Sequence, residues 1–203
     1  MGGNRIEFFY DLSSPWTYIA FHNLAGVMER TDASVRLRPI LVGGVFNAVN
    51  PSVYAAREAA DNPKFKHSWR VMKDWAALAG IEINFPSAFH PAKSINAMRM
   101  ACTLEGDQQA LAKFTRAAFE SYSGAQENLD DPDVLVAVAN SVGLDGEAMR
   151  AESQTDAVKA RLRANTDEVI ARGGYGSPTI FVDTTKMYFG NDQLPLVEFA
   201  LNR

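Results

Sequence analysis

The sequence has 203 residues, 47% hydrophobic and 22% charged, a balance that supports a sizeable folded core and argues against disorder. Its 24 acidic and 20 basic residues leave a formal charge of −4, so no surplus of Lys and Arg exists to neutralise phosphates, and nucleic acid is excluded as a partner class. The single cysteine, Cys102, excludes an intrachain disulfide, a Cys-x-x-Cys pair and a thiolate metal cluster; His22, His67 and His90 lack ligand spacing, so no metal site is expected.

The N-terminal MGGNRIEFFYD has no long apolar core behind its one basic residue, and eighteen consecutive apolar residues occur nowhere. Neither a signal peptide nor a membrane span is expected, which makes a cytoplasmic location the default. Ile6 to Tyr10 reads as a buried strand that stops at Asp11-Leu12-Ser13-Ser14-Pro15. A helix starts there, with Trp16, Ile19, Ala20, Leu24, Val27 and Met28 at helical spacing and Pro15 acceptable in the first turn. Val35 to Arg38 alternates as a half-buried strand and runs on into Pro39-Ile40-Leu41-Val42, so the opening is β-α-β with a parallel pair.

From about Pro51 to Arg172 the period is helical almost throughout, with Pro, Gly and Asp where helices begin or end; roughly six helices are expected. The stripes Phe65, Trp69, Met72, Ala76 (closing at Gly80), Ile95, Met98, Cys102 and Leu111, Phe114, Ala118 read as core. After Gly173-Gly174 the pattern reverts: Thr179 to Val182 and Met187 to Phe189 form a hairpin, and a last helix runs from about Asp192 to Leu201. The strands of both ends must then meet in one sheet.

Ser14-Pro15-Trp16-Thr17 is, taken alone, an ordinary capped helix start. The same physics also stabilises an anion, because free N–H groups and the positive end of the helix dipole collect there. A serine cannot be a thiolate, but it can donate a hydrogen bond to one that a ligand brings, and so lower the pKa of that foreign sulfur. Ser13 and Ser14 compete for this role on spacing. Gly174-Tyr175-Gly176-Ser177-Pro178-Thr179 precedes an apolar strand; if Ser177–Pro178 is cis, the Ser177 backbone can pair with an extended, peptide-like ligand.

Together these features resemble the thioredoxin fold with an all-helical insertion, an α/β class. In the disulfide oxidoreductases of that group a Cys-Pro-x-Cys motif starts the first helix; here both cysteines are absent. Phe9-Tyr10-Asp11-Leu12-Ser13-Ser14-Pro15-Trp16 is similar to the signature of the kappa-class glutathione transferases and 2-hydroxychromene-2-carboxylate isomerases, and it places the family's serine at Ser14. Further matches are Leu37-Arg38-Pro39, Asn50-Pro51, Phe85-Pro86, Ala97-Met98-Arg99, Gly176-Ser177-Pro178-Thr179 and Phe189-Gly190-Asn191-Asp192.

The resemblance implies a thioredoxin-like domain from 1–44 and 173–203, with 45–172 as a helical insertion or lid. It implies glutathione as cofactor: Ser14 on the sulfur, the backbone of Ser177 before Pro178 on the cysteinyl part, Asn191 and Asp192 on the γ-glutamyl end, and Asn50 as a weaker contact. Asp192 has a plain alternative as a helix cap. This chain departs from the family at Ser177, usually aliphatic, and at His67, commonly lysine; either Lys66 or Lys64 substitutes there, or the basic contact to the glycyl carboxylate is absent. The implied activity is a glutathione-dependent isomerase acting on a small aromatic substrate, with Lys93 and Arg99 as candidates for its carboxylate. The alternatives are a kappa-like transferase or peroxidase, and a non-catalytic glutathione-binding module. A homodimer is implied by the family alone. Cys102, inside a helix, reads as structural rather than redox-active.

Overall fold

The computed structural model describes residues 5–54 and 62–203, so the part of the helical reading at 55–61 and the first four residues lie outside it. Strand β1 (Ile6–Tyr10) is buried on both faces, which explains its unbroken apolar run. Ile6, Phe8 and Tyr10 join the larger core, while Phe9 points the other way into a cluster with Ile40, Val45, Val169 and Phe181.

Helix α1 (Pro15–Thr31) crosses over to β2 (Val35–Pro39), which pairs parallel to β1 with Phe8 opposite Leu37. β3 (Thr179–Val182) pairs antiparallel on the other side of β1, and β4 (Lys186–Phe189) pairs antiparallel to β3, giving the order β2-β1-β3-β4. The ends of the chain thus build one sheet, as the sequence requires.

The strand expected to run through Val42 instead ends at Pro39, and α2 (Val42–Val49) follows. The reason is competition for the backbone: Ile40 N still bonds Tyr10 O, but Leu41 N turns onto Thr166 Oγ1 and Val42 N onto Asp11 Oδ2. A short apolar run serves strand or helix equally well, and these side-chain acceptors decide it.

Then come α3 (Pro63–Ala79), α4 (Ile95–Thr103), α5 (Gln108–Phe119), α6 (Pro132–Ser141), α7 (Gly146–Ser153) and α8 (Asp156–Ala171), six helices among the described residues. Asn62, Asp107, Asp131, Asp145 and Thr155 cap five of them by accepting first-turn N–H bonds, and Gly80 closes α3 at φ +69°. The α3 stripe is only partly core: Met72 and Ala76 are buried, whereas Phe65 and Trp69 are half-buried and face a cavity.

The last helix does not begin at Asp192. Gly190, at φ +90°, turns the chain into a single 3-10 turn (Asn191–Gln193), and α9 is Leu194–Leu201. Gln193 Oε1 accepts Phe189 N at 2.8 Å, and among the described residues Asp192 caps neither this turn nor α9.

The main core is continuous from Phe8 and Tyr10 of the sheet to Met98, Phe114, Phe119 and Leu135 of the helical segment. On the opposite sheet face Arg38, 7% exposed, is bound by Glu7, Glu105, Asn165 and Glu168, which fastens β2 to β1 and α8. No described helix is long and apolar enough to cross a membrane.

Candidate functional site

The turn from β1 into α1 is organised by Asp11, which is completely buried. Its Oδ1 accepts Ser13 N at 2.9 Å and Ser13 Oγ at 2.8 Å; its Oδ2 accepts Val42 N at 2.8 Å and Ser94 Oγ at 3.0 Å. Burial pushes the carboxyl above its ordinary pKa, and these bonds pull the other way. One side chain thereby ties the turn to the starts of α2 and α4.

The two serines are engaged differently. The Ser13 hydroxyl spends its hydrogen on Asp11. Ser14 is the N-cap, its Oγ accepting Thr17 N at 3.2 Å. Its hydrogen is directed at the Ser177 carbonyl only at 3.4 Å, the long limit of a hydrogen bond. Capping uses the oxygen as acceptor and leaves the hydrogen for a partner in the site, so cap and donor are compatible roles.

The Ser177–Pro178 bond is cis. The Ser177 side chain turns inward, where its Oγ accepts Asp11 N at 2.9 Å and pairs with Thr17 Oγ1 at 2.8 Å. A polar niche therefore accounts for a serine at this position. Pro178 O accepts Gly190 N, which brings the Asn191–Asp192 turn beside the Ser177–Pro178 loop. A side chain on Gly190 would meet Asp192 Oδ1 at 2.8 Å, besides requiring its positive φ.

Two cavities meet at this junction. A groove of about 430 Å³ has Ser177, Pro178, Asn191 and Asp192 on one wall and Lys64, His67 and Trp75 on the other. An adjoining cavity of about 360 Å³ contains Ser13, Ser14, Asn50, Trp69, Phe85, His90 and Tyr175 among its lining, and Trp16, Ser68, Ser177 and Phe189 line both. The residues singled out in the sequence are thus brought together from both ends of the chain. Asn50 Nδ2 is engaged by Tyr175 O at 3.2 Å. Asn191, 2% exposed, accepts Asn23 Nδ2 on its Oδ1, while its buried Nδ2 has no partner among the described residues.

Lys64 and His67 line the groove, and Lys66 does not. Lys93 is 81% exposed, 3.9 Å from Asp130, at the rim of a neighbouring depression, and Arg99 lines none of these cavities. Sequence reasoning passed over Asp11, Thr17, Phe46 and His90 as site-forming residues. Only Asp11 left a signal, as the sole charge between an apolar strand and the Ser-Pro start.

A family model described as a DsbA-like thioredoxin domain matches residues 5–202. The chain belongs to this family. The 2-hydroxychromene-2-carboxylate isomerase of Sphingobium xenophagum is 28% identical over 196 residues, covering 97% of each chain. Glutathione S-transferase kappa 1 of Rattus norvegicus is 22% identical, with 97% of this chain and 90% of its own covered. A solved structure of 2-hydroxychromene-2-carboxylate isomerase superposes with a TM-score of 0.82 at 24% identity, over 98% of this chain and 94% of that one. Unlike the disulfide oxidoreductases of its fold, this DsbA-like chain begins α1 without a cysteine. Its one thiol, Cys102, is fully buried and pushed up to about 12, chiefly by burial. Cys102 does not line the cavity that contains Ser14.

Proposed function

We propose that the chain binds glutathione along the groove and works as a glutathione-dependent isomerase of the 2-hydroxychromene-2-carboxylate isomerase type on a small aromatic substrate. The observation that carries this reading is the Ser14 hydroxyl. It caps α1 through its oxygen, while its hydrogen has only the long 3.4 Å contact with Ser177 O, so a sulfur brought by a ligand can take that hydrogen in a cavity that Cys102 does not line.

The donor set suits the ligand. Asn191 Nδ2, buried without an acceptor, fits a carboxylate or carbonyl oxygen. The exposed Asp192 carboxylate fits an α-ammonium group, and Lys64 with His67 on the facing wall fits the glycyl carboxylate. The Ser177 backbone, before a cis proline, fits a peptide unit.

Bound there, glutathione supplies a sulfur nucleophile. Ser14 directs a hydrogen bond at that sulfur, and the N-terminus of α1 adds its positive potential, so both favour the thiolate over the thiol. Trp69, Phe85, Tyr175 and Phe189 enclose the adjoining cavity with aromatic faces that exclude water and accept a flat ring.

Calorimetry with glutathione, followed by turnover with thiol counting, tests the reading. Binding with substrate conversion at constant thiol is the expected result. Stoichiometric thiol loss would favour the transferase alternative, to which the kappa relatives point equally. Binding without conversion of any substrate would leave the binding module, and no binding would reject all three.

The same reading takes 1–44 with 173–203 as the thioredoxin-like unit and 45–172 as its helical insertion, in a cytoplasmic homodimer. Leu78, Leu196 and Phe199, exposed by 78%, 51% and 55%, offer apolar surface that a second copy would cover. Sedimentation equilibrium measures that state.

A further inference from the structure

We propose that the Ser177 carbonyl holds the hydrogen of Ser14 in reserve and releases it to a sulfur when an amide N–H of the ligand takes its place. The site then ionises the cysteinyl thiol of a peptide in preference to a simple thiol. This rests on the reading of the groove as a glutathione site and names the part of glutathione to which that site responds.

Both ends of the contact are pinned. Ser14 Oγ accepts Thr17 N at 3.2 Å, which holds its side chain over the first turn of α1. On the other side the Ser177 hydroxyl accepts Asp11 N at 2.9 Å and pairs with Thr17 Oγ1 at 2.8 Å. Thr17, completely buried, therefore fixes both serines, one through its backbone and one through its side chain. The 3.4 Å between Ser14 Oγ and Ser177 O is a separation that this frame maintains, so the hydrogen has an acceptor, but a weak one.

The carbonyl depends on that hydrogen in turn. Among the described residues no other donor bonds Ser177 O. Ser177 is 8% exposed and lines both cavities where they adjoin. If Ser14 turned its hydrogen to a sulfur and nothing replaced it, a largely buried acceptor would be left without a donor, which opposes the turn.

A ligand that brings an N–H to the carbonyl removes this penalty. In a cysteinyl residue the amide nitrogen and the thiol-bearing methylene hang on the same carbon. One residue can therefore reach Ser177 O with its N–H and the Ser14 hydroxyl with its sulfur. The N–H bonds the carbonyl, the Ser14 hydroxyl rotates onto the sulfur, and the thiol proton passes to water. The carbonyl keeps a donor throughout, and the thiolate gains one. A simple thiol has no N–H to offer, and for it the Ser14 hydrogen stays divided between carbonyl and sulfur.

The test compares glutathione with its ester analogue, in which the N–H of the γ-glutamyl–cysteinyl amide is replaced by oxygen. Competition against glutathione measures affinity. Ultraviolet absorbance at saturation measures the thiolate fraction of each bound ligand relative to its own free form. The analogue should still bind, within about a hundredfold of glutathione, because it lacks a single hydrogen bond. On the native chain at neutral pH, bound glutathione should show about a tenfold gain in thiolate and the bound analogue less than about twofold. An N–H that served affinity alone would leave the two gains equal. In Ser14→Ala neither ligand should gain, and glutathione should still bind more tightly than the analogue. Equal gains on the native chain, or an analogue that does not bind, overturns the proposal while glutathione binding stands. Absence of glutathione binding to the native chain overturns the underlying reading, and the proposal with it.

Discussion

The Ser14 hydroxyl lies 3.4 Å from the carbonyl oxygen of Ser177, too far for a strong bond, while its own oxygen accepts Thr17 N. A residue that looks like a helix cap thus holds a weakly committed hydrogen beside the loop of the cis proline. Replacing it separates the two roles. Ser14→Ala should cost about 1 kcal/mol in urea denaturation through the lost cap, and Ser14→Gly only a few tenths. Both should lose most of the glutathione-dependent turnover, so activity will not track stability.

Asp11 makes stability depend on pH in a defined direction. Its folded pKa is raised by burial, so the native state holds the proton more tightly than the unfolded chain. The stabilisation from that proton is complete below the ordinary carboxylate pKa of about 3.9 and is lost as pH rises through the raised folded value. The stability of the native chain minus that of Asp11→Asn should therefore decline as pH increases from about 4. Urea denaturation across that range measures it, and a rising difference would show that the four hydrogen bonds outweigh burial.

Thr17 and Ser177 form a buried hydroxyl pair that joins α1 to the loop before β3. Thr17→Val keeps the shape and removes one partner from Ser177, whose oxygen still accepts Asp11 N. A loss of about 1–3 kcal/mol is expected, with weaker glutathione binding as the loop loosens. Calorimetry on the folded variant reads the second effect.

Cys102 should be inert. Because burial holds its thiol up to about 12, a thiol reagent should label it in urea but only slowly in the native protein. Cys102→Ala should retain glutathione-dependent turnover within about twofold. Loss of activity on labelling the native protein would return the redox reading.

Much of this was legible in the sequence because the deciding interactions are local. Period-2 and period-3.6 patterns, Asp131-Pro132 and Gly80 all encode their elements within a few residues. Misreadings arose where distant groups decided. The chain leaves β2 at Pro39 because Thr166 and Asp11, 125 and 31 residues away, accept the next N–H groups. Asp192 looked like a cap, but Gly190 and Gln193 shape that turn instead. Spacing does not separate Ser13 from Ser14, because what differs is the partner: the Ser13 hydrogen goes to Asp11, which folding brings over it.

The most direct test of the central claim is the ionisation of bound glutathione, followed by ultraviolet thiolate absorbance as pH is raised. A free thiol has a pKa of about 8.5; bound to the native chain, glutathione should show about a tenfold larger thiolate fraction at neutral pH, and Ser14→Ala should remove that gain. A bound sulfur that titrates like the free thiol, or whose shift survives Ser14→Ala, would contradict the account.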